Sequence, residues 1–193
     1  MKILYIHGLS SSGSSNTPKL LRKYLPEAEV LSPDLPTDIA DAVAMLKELV
    51  ACENVDVVVG TSMGGMLAQK LRGYRKILVN PSFHLSQSMR RCIGVNQFFS
   101  AREDGATEYT ITEQMCDRSY EIEQCQFEDL PDSEIDNTAA LFGMHDDVVD
   151  CRLEYLEHYK NIHYFNGGHR LDEQTIAQIL VPMICDMAAK DLD

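Results

Sequence analysis

A β-branched run, Val55-Asp56-Val57-Val58-Val59, leads directly into Gly60-Thr61-Ser62-Met63-Gly64-Gly65, and an apolar helical stretch over 66–71 follows. Strand, sharp turn and helix in that order is the setting of a G-x-S-x-G elbow. Such a turn holds its serine in strained backbone with Oγ thrust outward. Glycines two residues to either side remove side chains that would clash. The helix after the turn aims N–H groups at the place where negative charge would develop. A chain built around this unit must set the strand in a parallel sheet and cover both sheet faces with helices.

The remaining sequence keeps that rhythm. Residues 2–6, 29–32, 55–59, 76–79, 139–142 and 162–165 read as short strands. Residues 18–25, 39–52, 63–72, 151–159 and 173–187 read as the helices between and after them. Thr17 is placed to cap the first helix, with Pro18 at its first position. Ile39, Val43, Leu46 and Val50 repeat at helical spacing behind a capping Asp38. Pro182 should bend the last helix. Over 82–137 the alternation is lost: two helices, 86–93 and 112–124, flank the polar link 101–105, and an acidic loop follows. The expectation is one domain over 1–193, with three α/β/α layers and a mainly parallel six-stranded sheet. Segment 82–137 is expected to be a small helical, cap-like insertion.

Charge narrows the partners. With 30 acidic against 17 basic side chains the net charge is −13, which disfavours nucleic acid and anionic membrane surfaces. No apolar run approaches the ~20 residues of a membrane span. The opening apolar stretch is too short for a secretion signal. The six cysteines are scattered without a C-x-x-C pair, as in a chain with reduced thiols. A cytoplasmic protein acting on a small molecule is expected.

An elbow serine needs a base, and the base needs an acid that orients it. In this architecture they follow the serine in the order acid, then histidine, each after a strand. His145-Asp146-Asp147-Val148-Val149 follows the fifth strand, and Gly167-Gly168-His169 follows the sixth. Ser62, Asp146 and His169 are therefore the catalytic candidates. Taken singly, Asp146 and Asp147 could be turn carboxylates and His169 a surface histidine; the order and the strand ends together favour the triad. Asp146 sits earlier in its turn than Asp147, and His145 is too close to the acid in sequence to serve as base. The oxyanion donors expected are the N–H groups of Met63 and of Leu9, with Gly8 opening the approach. His7 is read as a residue that fixes this turn. Ser10-Ser11-Ser12-Gly13-Ser14-Ser15 lacks the lysine of a phosphate loop and is read as a mobile pocket rim. Gly8, Ser10, Asn80, Pro81 and Phe83 are the pocket candidates. Asp146, Asp147 and Asp150 with His145, His163 and His169 follow no metal-binding pattern, so neither metal nor cofactor is expected.

These same residues give the chain a family likeness. Through Tyr5-Ile6-His7-Gly8-Leu9-Ser10-Ser11-Ser12, Gly60-Thr61-Ser62-Met63-Gly64-Gly65, Asn80-Pro81, the run from His145 to Arg152 and Gly167-Gly168-His169, it resembles the α/β-hydrolases, and among them the small YqiA-type bacterial esterases. The resemblance implies a cofactor-free esterase or thioesterase with the acid at Asp146. Leu9 stands where that family commonly carries Tyr or Phe, which changes a pocket wall and leaves the backbone donor in place. A catalytically silent scaffold that binds a ligand is the alternative reading of the same fold.

Overall fold

The computed structural model describes residues 1–189. In chain order the elements are β1 (Lys2–Ile6), α1 (Asn16–Tyr24), β2 (Glu29–Leu31), α2 (Ile39–Cys52), β3 (Val57–Thr61), α3 (Met63–Gln69) and β4 (Arg75–Val79). After these come α4 (Leu85–Arg90), β5 (Gly94–Gln97), β6 (Glu108–Ile111), α5 (Glu113–Gln124) and α6 (Asp132–Asp136). β7 (Thr138–Gly143), α7 (Arg152–His158), β8 (Asn161–Phe165), the short α8 (Glu173–Thr175) and α9 (Val181–Ala189) complete the order, with a π-helical turn, Ile176–Leu180, between α8 and α9.

Six strands form one sheet in the order β2-β1-β3-β4-β7-β8. Every pairing in it is parallel. Alternate side chains divide between its two faces, as a strand period of two requires. Leu4, Ile6, Val58, Leu78, Ala140 and Phe142 pack with α2, α3 and segment 82–137. Ile3, Val57, Val59, Ile77, Val79 and Leu141 pack with α1, the π-helical turn and α9. The result is the three-layer α/β-hydrolase architecture, with β3 central and the elbow at its C-terminal end. Among the described residues no helix is long and apolar enough to cross a membrane.

Three local expectations are corrected. The first helix begins at Asn16 with Ser15 as its N-cap residue, so Thr17 and Pro18 both lie inside the first turn. A proline is tolerated there because first-turn N–H groups have no partner within the helix. The last helix, expected to run through 173–187, is interrupted just before Pro182 by the π-helical turn. The proline offers no N–H and would press its ring on the carbonyl four residues back, and a widened turn spaces the two apart. Finally, the insertion is not wholly helical: β5 and β6 pair antiparallel as a separate two-stranded sheet. The alternation of exposed and buried residues over Glu108–Ile111 is the sequence signal for it.

His7, at the end of β1, is buried and fixes the loop that follows. Its Nδ1 donates to the Gly8 carbonyl at 2.8 Å, and its Nε2 accepts from Leu35 N–H at 3.1 Å. The bond at Nε2 requires the neutral ring, because an imidazolium has no acceptor nitrogen, whereas the Gly8 bond survives protonation and opposes the fall in pKa. Burial pushes the His7 imidazole below its ordinary range, with Arg102 acting in the same sense and Asp34 against it. The unfolded chain therefore binds this proton more readily than the native one. Conformational stability should fall as pH drops below about 6.5, by at most ~1.4 kcal/mol per pH unit for one proton. Denaturant titrations from pH 8 to pH 5 are expected to show this slope and its reduction in His7→Gln. An unchanged slope in the variant would move the effect to other groups.

Candidate active site

Ser62 lies between β3 and α3 with φ 55° and ψ −118°, a conformation that costs a non-glycine residue energy and persists only when its surroundings enforce it. The enforcement is visible. Ser62 N–H donates to Val79 C=O at 2.9 Å, and its carbonyl accepts from Gly65 and Ser82 N–H at 2.9 and 3.1 Å. A Cβ on Gly60 would lie 2.0 Å from the Gly64 carbonyl oxygen, and one on Gly64 would lie 2.0 Å from that of Ile6. The two glycines flanking the serine are thus required by backbone approaching backbone. Met63 opens α3, so its N–H has no acceptor within the helix. A Cβ on Gly8 would stand 3.3 Å from the Ser62 Cβ, so the loop carrying Leu9 faces the serine directly.

The loops after β7 and β8 bring the next two residues together. His169 Nδ1 donates to Asp146 Oδ2 at 2.8 Å. The other oxygen, Oδ1, accepts from Val148 and Val149 N–H at 2.8 and 3.1 Å. The Asp146 side chain is 5% exposed, and that of His169 18%. With both oxygens engaged, the carboxylate cannot swing away from the ring. Asp147 is exposed, and His145 turns toward Asn166, with Nε2 and Oδ1 3.0 Å apart.

Ser62 and His169 share the wall of one cavity of about 510 Å³, together with Gly8, Leu9 and Ser10. Asn80, Pro81 and Phe83, expected as pocket residues, do not line it. Phe83 is fully buried and stacks edge-on to Phe127. Pro81 packs behind the elbow, where a Cβ on Gly65 would meet it at 2.9 Å. Asn80 acts as a staple: its Oδ1 accepts from Gly143 N–H at 2.8 Å, and its Nδ2 donates to the carbonyls of Gly168 and His169 at 3.2 and 3.0 Å. It ties the end of β4 to the loops of the acid and the histidine.

Segment 82–137 adds to the wall, as a pocket lying between the elbow and this insertion requires. Leu85, Ser88, Phe99 and Ser100 line the cavity. The serine tract, expected to be mobile, is held by the hairpin. Ser10 Oγ and Tyr109 Oη are 2.5 Å apart, and Phe99 N–H donates to the Ser10 carbonyl at 2.7 Å. Ser12 is buried, with its hydroxyl bonded to Ser100 Oγ and the Ala101 carbonyl at 2.8 and 2.7 Å. Asp34 accepts from Gly13 and Glu103 N–H at 2.7 Å each. Serine hydroxyls look flexible in a sequence because their partners lie some ninety residues away.

Comparison with known proteins agrees with the fold. A family model described as "Uncharacterised protein family (UPF0227)" matches residues 2–181. Among solved structures, Est1E from Butyrivibrio proteoclasticus aligns with a TM-score of 0.67 at 13% identity, over 98% of this chain and 88% of its own. The alpha/beta hydrolase GrgF from Penicillium sp. sh18 gives 0.66 at 12%, over 99% and 90%. Alpha/beta hydrolase domain-containing protein 10 from mouse gives 0.64 at 14%, over 96% and 88%. At these identities the likeness carries the fold, and the chemistry has to be argued from the residues above.

Proposed function

The chain belongs to the UPF0227 family, and on that footing we propose that it is a serine hydrolase that cleaves a small carboxylic ester or thioester through Ser62, His169 and Asp146. The observation that carries the reading is the strained Ser62 sharing a cavity with a histidine whose other nitrogen is bonded to a buried carboxylate. A residue that only binds has no need of that strain or of that orienting bond.

In this mechanism His169 Nε2 accepts the Ser62 proton as Oγ forms a bond to the substrate carbonyl carbon. The carbonyl oxygen, now negative, accepts hydrogen bonds from the N–H groups of Met63 and Leu9. The C–O or C–S bond then breaks, and His169 returns the proton to the leaving alcohol or thiol. Water, deprotonated by His169, attacks the acyl-enzyme, and the carboxylic acid leaves as Ser62 recovers its proton. Asp146 accepts from Nδ1–H throughout, which fixes the tautomer and stabilises the imidazolium. One oxyanion donor is worth about 3 kcal/mol of transition-state stabilisation. We take the chain as one catalytic domain in which segment 82–137 forms the cap over the cavity, and its volume suits a short or medium acyl group.

A fluorophosphonate probe tests the nucleophile. Labelling should map to Ser62 by peptide mass spectrometry, and a p-nitrophenyl ester series should peak at short or medium chains. Absence of both labelling and turnover would favour the binding-scaffold reading.

A further inference from the structure

The cavity wall is chemically lopsided. The chain carries 30 Asp and Glu against 17 Lys and Arg, yet among the described residues no carboxylate lines the cavity and Arg170, the residue after His169, is the Lys or Arg that does. The guanidinium lies over the exposed Phe99 ring, 5.2 Å from its centroid, and forms no ion pair among the described residues. Stacking on an aromatic face holds the fork in place while leaving its N–H edge open. The wall also carries the hydroxyls of Ser11 and Ser88, whereas the Tyr5 hydroxyl is engaged with Thr61 Oγ1 at 3.0 Å. Hydroxyls and one cation, with no carboxylate among the described lining residues, form a surface complementary to negative charge.

We propose that this site takes an ester or thioester bearing an oxyanion group, carboxylate or phosphate, and that Arg170 is the residue that selects it. The proposal rests on the hydrolase reading above. It adds that the substrate's charge is read beside His169, at the mouth formed with Phe99.

Three matched pairs test it. The first is 4-nitrophenyl hydrogen adipate against 4-nitrophenyl hexanoate, with the charge on the acyl side. The second and third are 4-acetoxybenzoate and 4-acetoxyphenyl phosphate, each against its neutral methyl-esterified counterpart, with a carboxylate or a phosphate on the leaving side. The anionic member of at least one pair should be preferred about tenfold in kcat/KM, mainly through KM. The pair that responds identifies the group and its side. In Arg170→Gln that ratio should fall to within about twofold of one, and Arg170→Lys should restore part of it. Rising ionic strength should erode the preference in the wild type. Equal or inverted ratios in all three pairs would overturn the proposal, and so would a preference that survives Arg170→Gln. If no ester is turned over, the hydrolase reading fails separately. Calorimetric binding of benzoate and phenyl phosphate then decides: binding lost in Arg170→Gln sustains the anion site, and no binding to the wild type ends it.

Discussion

Ser62→Ala is expected to lower kcat for any substrate the enzyme hydrolyses by at least about 10⁴-fold, because the acyl-enzyme can no longer form. Asp146→Asn should fall by a comparable ~10⁴, for a different reason. An asparagine can present its amide to Nδ1, which then has to accept rather than donate. The ring adopts the wrong tautomer, and Nε2 arrives already protonated. The bonds from Val148 and Val149 N–H to the Asp146 oxygen can still be made by an amide oxygen, so the fold should survive and circular dichroism should be unchanged. Combining the two substitutions should cost little more than Ser62→Ala alone, since triad members act as a unit. The measurement is steady-state turnover of the best p-nitrophenyl ester by both variants and their combination. Additive losses, or an active Ser62→Ala, would remove Ser62 and Asp146 from these roles.

The parts of this site legible in the sequence are those whose chemistry is local. The elbow motif lies in six consecutive residues, and the clash a Cβ would make at Gly60 is with Gly64 four positions on, while the Ile6 carbonyl that requires Gly64 comes from the neighbouring strand. The acid and the histidine were legible from strand-end position. The family likeness shares those residues. What the sequence hid is non-local. Asn80 looks like a pocket residue beside Pro81, and its actual partners, Gly143, Gly168 and His169, lie on loops that only the β4–β7–β8 order brings alongside. The hairpin of β5 and β6 was masked by the polar link 101–105, which reads as an isolated loop until its flanks are seen to pair. Its consequence, a serine tract held in place, cannot be read without that pairing. Arg170 carries no sequence motif, and its meaning comes from a cavity wall without a carboxylate among the described residues.

Glu134→Ala should be the most destabilising single change outside the hydrophobic core, at about 3–5 kcal/mol in denaturant unfolding. Lys76 is on central strand β4 with its side chain wholly buried, and Glu134 on α6 is 4% exposed. The ammonium donates to the Glu134 carboxylate and to the Leu71 carbonyl, the latter at 2.8 Å. The same carboxylate accepts from Gly73 N–H. Removing it leaves a buried cation with a single carbonyl partner, and a backbone N–H without its acceptor. Desolvation already pushes the Lys76 ammonium below its ordinary range, with Glu134 as the main group opposing that fall. Without Glu134 the native state should give up this proton more easily, while the unfolded chain keeps it to about pH 10.4. The unfolded state then binds more protons, so the variant's stability should rise between pH 7 and pH 10, recovering part of the loss. The paired change Lys76→Met with Glu134→Leu removes both charges and should lie much closer to the wild type than either single variant. A Glu134→Ala loss under 1 kcal/mol, with no dependence on pH, would mean that Lys76 is solvated by some other route and that the pair does not hold α6 to the sheet. The expected result would place the end of segment 82–137 under tight anchorage at β4, the strand next to the one that carries Ser62.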